Sequence, residues 1–222
     1  MPPAAPAAPG GLSLLLLLLL LLLVACVCRG RSYLLYRLKD FFSAERSFAS
    51  PGSTTAWPGA ALICYTLLGV GCVSGALILA ACFPHVAFAP GGAQGRQFLV
   101  WVALVVAVVV GKGGLHLLGG WVFFDRGMLS QWLSHYFLLT AVCALPLYPL
   151  AVCLLQGFVE AQGGAVWGGA VLILYEILLF YRLRMNFPWK GGAQMLIFVY
   201  LCTLEIPPLL IGWRFLASPS QG

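Results

Sequence analysis

The feature that most constrains this chain is its stretch 12–28, LSLLLLLLLLLLVACVC, a leucine run without a single charge. Similar apolar runs recur along the rest of the sequence, each about as long as the roughly 20 residues that cross a bilayer as a helix. Of the 222 residues 62% are hydrophobic and 8% charged, against about 25% charged in a soluble domain. No folding of such a chain supplies enough polar surface for a water-soluble globule. The expectation is an all-α, polytopic membrane protein with five to seven crossings. No room is left for a separate soluble catalytic domain.

Residues 1–11 (MPPAAPAAPGG) form a Pro/Ala/Gly tail with few packing groups. The run 12–28 serves as a first span or a signal-like segment. Basic residues follow it, as Arg29, Arg31, Arg37 and Lys39, whereas a secretory signal carries them in front. That favours an uncleaved helix. Leu23-Val24-Ala25-Cys26 also resembles a lipobox, in which Cys26 would be lipidated after cleavage. Residues 29–56 form a basic connector, and within it YLLYRLKDFFSAERSF (33–48) mixes aromatic, apolar and charged residues at near-helical spacing. That pattern suits either a helix lying among the lipid headgroups or an ordinary solvated linker.

A five-helix bundle is expected over 57–216, with spans near 57–81, 97–119, 132–155, 165–181 and 193–216, and a short tail at 217–222. The total is six crossings, or five if the first segment is removed. Gly69, Gly71, Ser74 and Gly75 give the second span a small-residue face for close helix approach. Pro146 and Pro149 predict a kink in the fourth.

The formal charge of +6 calls for no nucleic acid, because membrane proteins collect basic residues at the cytoplasmic face. The connections after spans one, three and five hold Arg29, Arg31, Arg37, Lys39, Arg46, Arg126, Arg182, Arg184 and Lys190. The opposite side holds Arg96 and Arg214. Both termini are therefore expected outside the cytoplasm. The eight cysteines lie in or beside apolar runs, as small packing groups rather than a disulfide framework. Cys26-Val-Cys28 is too tight for a zinc pair of the CxxC kind.

Lys112, His116, Glu176 and Glu205 remain at membrane depth. Each costs at least a few kcal/mol in lipid and should turn inward to a partner. Lys112 and His116, four apart, share one helix face. The rise per residue matches Lys112 in depth better to Glu176 than to Glu205. This cluster either pairs to fix helix docking or handles a proton, an ion or an anionic headgroup. Glu205 precedes Pro207 and Pro208, which lack N–H groups and so leave helical carbonyls without donors beside a carboxylate. That kink could ligate a cation, act as a hinge, or only shape packing. His135 is expected at the interface.

HExxH, GxSxG, P-loop and GxGxxG signatures are absent from the sequence. The histidines, His85, His116 and His135, are too few for a di-iron centre built on histidine boxes. A haem between His116 and His135 has no specific support, so no cofactor and no metal site is assigned.

The string Tyr175-Glu176-Ile through Tyr181-Arg182-Leu-Arg184, followed by Phe198-Val-Tyr200-Leu-Cys202-Thr-Leu-Glu205-Ile-Pro207-Pro208-Leu, resembles the C-terminal signature of domain-of-unknown-function family 4271. The resemblance covers about residues 33–216, and Lys112 before its Gly-rich segment fits it too. It implies a polytopic protein of a bacterial inner membrane. It brings no established reaction, and it marks Glu205, Pro207, Lys112 and Glu176 as positions to test.

The reading that follows is a non-enzymatic scaffold or accessory subunit of a cell-envelope complex, embedded in the bilayer beside a membrane-protein partner or a second copy. A small proton- or ion-linked transporter using the Lys/Glu cluster is the alternative. A membrane enzyme acting on lipid is the third.

Overall fold

The computed structural model describes residues 10–42, 59–83, 94–123 and 126–186. They form six helices: α1 (Gly10–Phe42), α2 (Ala60–Cys82), α3 (Gln94–Phe123), α4 (Arg126–Val142), α5 (Ala144–Leu155) and α6 (Ala161–Asn186). The described residues hold no strand. Five stretches are long and apolar enough to cross a membrane: Gly11–Phe42, Ala60–Cys82, Arg96–Leu118, Leu133–Leu155 and Ala161–Arg182. The protein is thus a polytopic helical membrane protein. The expected sixth span at 193–216, with Glu205, Pro207 and Pro208, lies outside the described residues, as does His85.

α2 carries no charged residue, and a helix apolar all round belongs in the interior. It touches all five other helices. Two of the small residues on its expected close-packing face meet neighbours: a Cβ at Gly71 would sit 3.3 Å from that of Ala144, and one at Gly75 would sit 3.7 Å from Val105. Ser74 is fully buried. Gly69 departs from the expectation, since open space surrounds it.

α4 and α5 together make one crossing, Leu133–Leu155, broken at Cys143. The cause is Pro146: it has no N–H to give the carbonyl of Val142, and it is accommodated in the first turn of α5. Pro149 lies inside α5. Pro146 thus interrupts the fourth span, with the break placed just ahead of it, while Pro149 is carried within the helix.

The N-terminal boundaries differ from those read in the sequence. Gly10 and Gly11 open α1 instead of belonging to the tail, and residues 29–42 continue the same helix without interruption. Leu19 and Leu23 are part of the main core with Leu67, Val70 and Leu77 of α2, and Tyr148 of α5 donates to the Leu16 carbonyl at 2.9 Å. A helix of 33 residues is about 50 Å long, well beyond the roughly 30 Å of hydrocarbon. Its inward-facing contacts show where the excess goes. Gly30 packs on Ile63, Tyr33 meets Cys64, Arg37 donates to Ser134 and the Phe41 ring lies 6.0 Å from His135. These partners all sit within about a turn of the ends of spans that begin at Ala60 and Leu133. The second half of α1 therefore packs at the end of the bundle where the spans Ala60–Cys82 and Leu133–Leu155 begin. Residues 33–42, read as an interfacial helix or a linker, are helical and continue the first span; residues 43–48 lie outside the described residues.

At the opposite end, α5 turns into α6 through Gly157, whose φ of 75° suits glycine, and α6 closes tightly on α5 at Gly164. A side chain there would place Cβ 2.9 Å from Leu154 Cγ and closer still to its methyls. Leu154 is a core residue, so its rotamer cannot move freely. Gly164→Ala should lower stability by about 1–3 kcal/mol in a detergent melting curve. Gly169→Ala, facing open space, should be neutral or slightly stabilising. Equal melting temperatures for the two variants would refute the close approach.

Candidate functional site: a polar network between α3, α4 and α6

Lys112 and His116 both turn inward from α3, as their spacing requires. Lys112 Nζ donates to Glu176 Oε1 of α6 at 2.5 Å, with the two side chains 17% and 24% exposed. The ammonium also lies 5.3 Å from the centre of the Tyr175 ring, where the π-face attracts a cation. In a medium without water to solvate either charge, each partner supplies what the other has lost.

α4 joins the network through rings and hydroxyls. Tyr136 is buried and its hydroxyl donates to the Val109 carbonyl of α3 at 3.3 Å. Its ring lies 4.9 Å from that of His116, which is 2% exposed. Gly113, next to Lys112, faces the same ring: a Cβ there would stand 3.5 Å from Tyr136 Cε1, an ordinary contact. Thr140 Oγ1 donates to the Tyr136 carbonyl at 2.8 Å and lies 3.3 Å from the Tyr175 hydroxyl. With its one proton directed to the carbonyl, Thr140 is the acceptor for Tyr175.

A second polar layer lies about 9 Å further along α6, six residues on from Glu176. Arg182 donates through one nitrogen to the carbonyls of Phe41 at 2.8 Å and Asp40 at 3.3 Å. Its other terminal nitrogen is 3.1 Å from His135 Nε2. A guanidinium has only donors, so Nε2 accepts and the imidazole proton sits on Nδ1. That Nδ1 is buried and has no hydrogen-bond partner among the described residues. The guanidinium also lies 5.5 Å from the Phe41 ring centre. Arg182 thereby ties residues 40 and 41 of α1 to α6 and α4.

The structure thus brings together Lys112, His116 and Glu176, and adds Tyr136, Thr140 and Tyr175. His135 lies near the start of the span Leu133–Leu155 and is buried within the protein at 7% exposure, in contact with Arg182 and Phe41. His116 and His135 are engaged by different partners, Tyr136 and Arg182. No group of three or more metal-ligating side chains occurs among the described residues, and the seven described cysteines are free thiols. Sequence reasoning missed Arg182 as an inward-facing residue; being one of several cations beside a span end, it carried no distinguishing signal.

A family model described as Domain of unknown function (DUF4271) matches residues 12–216. The match takes in the leucine-rich first helix, which the resemblance of the C-terminal motif had not reached. No curated protein and no solved structure matches the chain.

Proposed function

Because the chain belongs to the DUF4271 family, whose description names no reaction, we propose from its geometry that it is a non-enzymatic scaffold or accessory subunit of a cell-envelope complex. In this reading it resides in a bacterial inner membrane with the end bearing Arg37 and Arg182 toward the cytoplasm and both termini outside. The observation that carries it is the direct Lys112–Glu176 pair. The intramembrane charges satisfy each other and tie α3 to α6, which is what a fixed framework needs. A partner from the same membrane, or a second copy, would then dock on the lipid-facing surface.

A proton- or ion-linked carrier is the second reading, and His116, buried one turn from Lys112 on the same face, favours it. Both are tested by purifying the tagged protein from its native membrane in mild detergent and identifying what stays bound by mass spectrometry. A membrane protein at stoichiometric yield is the expected result. Recovery of the chain alone, together with ion or solute flux in reconstituted vesicles, would replace the scaffold by the carrier.

A further inference from the structure

The outward face of α1 beyond residue 28 has no role in the network above. Gly30, Tyr33, Leu34, Arg37, Leu38 and Phe41 turn toward the bundle, while Arg29, Arg31, Leu35, Tyr36, Lys39 and Phe42 are exposed. Leu35, Tyr36 and Phe42 are 57%, 63% and 51% exposed. The only acid on this stretch, Asp40, is half-buried on the inward side. Cations and apolar or aromatic groups therefore alternate along a face on which no ion pair is made among the described residues. The inward side of this half of α1 meets Ile63, Cys64, Ser134 and His135, so its three exposed cations lie at the end of the bundle where those residues sit.

We propose that this face is a docking surface for anionic phospholipid headgroups, with Arg29, Arg31 and Lys39 engaging phosphates while Leu35, Tyr36 and Phe42 enter the acyl boundary. The charge complementarity selects lipid over an apolar protein partner: three exposed cations that form no ion pair among the described residues attract an anionic surface, and the interleaved apolar groups suit the headgroup–acyl boundary. Arg37 cannot share this task, because it reaches Ser134 and lies over the Tyr33 ring. The inference stands apart from the scaffold reading and survives its failure.

The full-length protein, purified with mixed phosphatidylcholine and phosphatidylglycerol, is examined by quantifying retained lipid. The wild type should enrich phosphatidylglycerol, and the triple variant R29Q/R31Q/K39Q should lose that enrichment by about fivefold or more. R96Q, an exposed cation at the other end of the bundle, should leave it unchanged. If the triple variant fails to fold, a salt series on the wild type decides: retention should fall steeply as salt screens the contacts. Retention equal for both lipids, insensitive to salt, or unaffected by the triple substitution overturns the proposal, as does release of phosphatidylglycerol by millimolar inorganic phosphate, which would assign a soluble anion site.

Discussion

Removing the charge from either Lys112 or Glu176 alone should lower stability by about 3–5 kcal/mol, and removing both should restore most of it. Lys112→Met leaves the Glu176 carboxylate at membrane depth with the donor at 2.5 Å gone, and Glu176→Gln leaves the ammonium, which also lies over the Tyr175 ring, without its carboxylate. In the double variant Lys112→Met/Glu176→Gln neither charge remains, and a methionine packs against an amide. Melting of all four proteins in one detergent gives the coupling. Losses that simply add would mean that the two residues act on separate partners, and the pair would not be what joins α3 to α6. The same variants separate the two functional readings. A scaffold should keep its partner when the double variant is stable, whereas a carrier that uses these charges should be folded and inactive.

The Lys112–Glu176 pair was legible in the sequence because an ionisable residue inside an apolar run has few acceptable environments. Depth along the helices then nearly chose the partner. The spans were legible for the same reason: charge-free runs of the right length have few other destinations. The break near Cys143 followed from Pro146 by loss of one backbone donor. What the sequence could not convey was which residues near span ends turn inward. Nothing local in the motif says that Arg182 meets another helix. Nor does anything near His135 show that Phe41, 94 positions earlier, packs beside it. The path of α1 was equally hidden: an amphipathic pattern predicts an interfacial helix but not that it continues the first span unbroken. Gly69 was read onto one face with Gly71, yet of the two only Gly71 meets a described neighbour, because residues two apart on a helix do not share a face.

Arg182→Ala should produce the other large effect, about 3 kcal/mol or more, since hydrogen bonds to a charged group contribute about 1.5–3 kcal/mol each. The guanidinium meets two α1 carbonyls and the His135 ring, so its loss strips residues 40 and 41 of α1 and the α4 imidazole together. Arg182→Lys keeps the charge but replaces a planar fork with a point donor. It should recover less than half of the loss, because one ammonium cannot hold its place over the Phe41 ring and also reach His135. His135→Phe tests the other side of the contact: it removes the acceptor at 3.1 Å together with the Nδ1 that has no partner among the described residues. Its cost should therefore be smaller than that of Arg182→Ala. A readout specific to α1 distinguishes this local release from general unfolding. Limited proteolysis should cut Arg182→Ala near residues 37–42 well before the rest of the bundle opens, while Lys112→Met should show no such early cut. If both variants are cleaved in the same order, Arg182 is not what fastens residues 40 and 41 of α1, and the packing of that stretch rests on contacts such as those of Gly30, Tyr33 and Arg37.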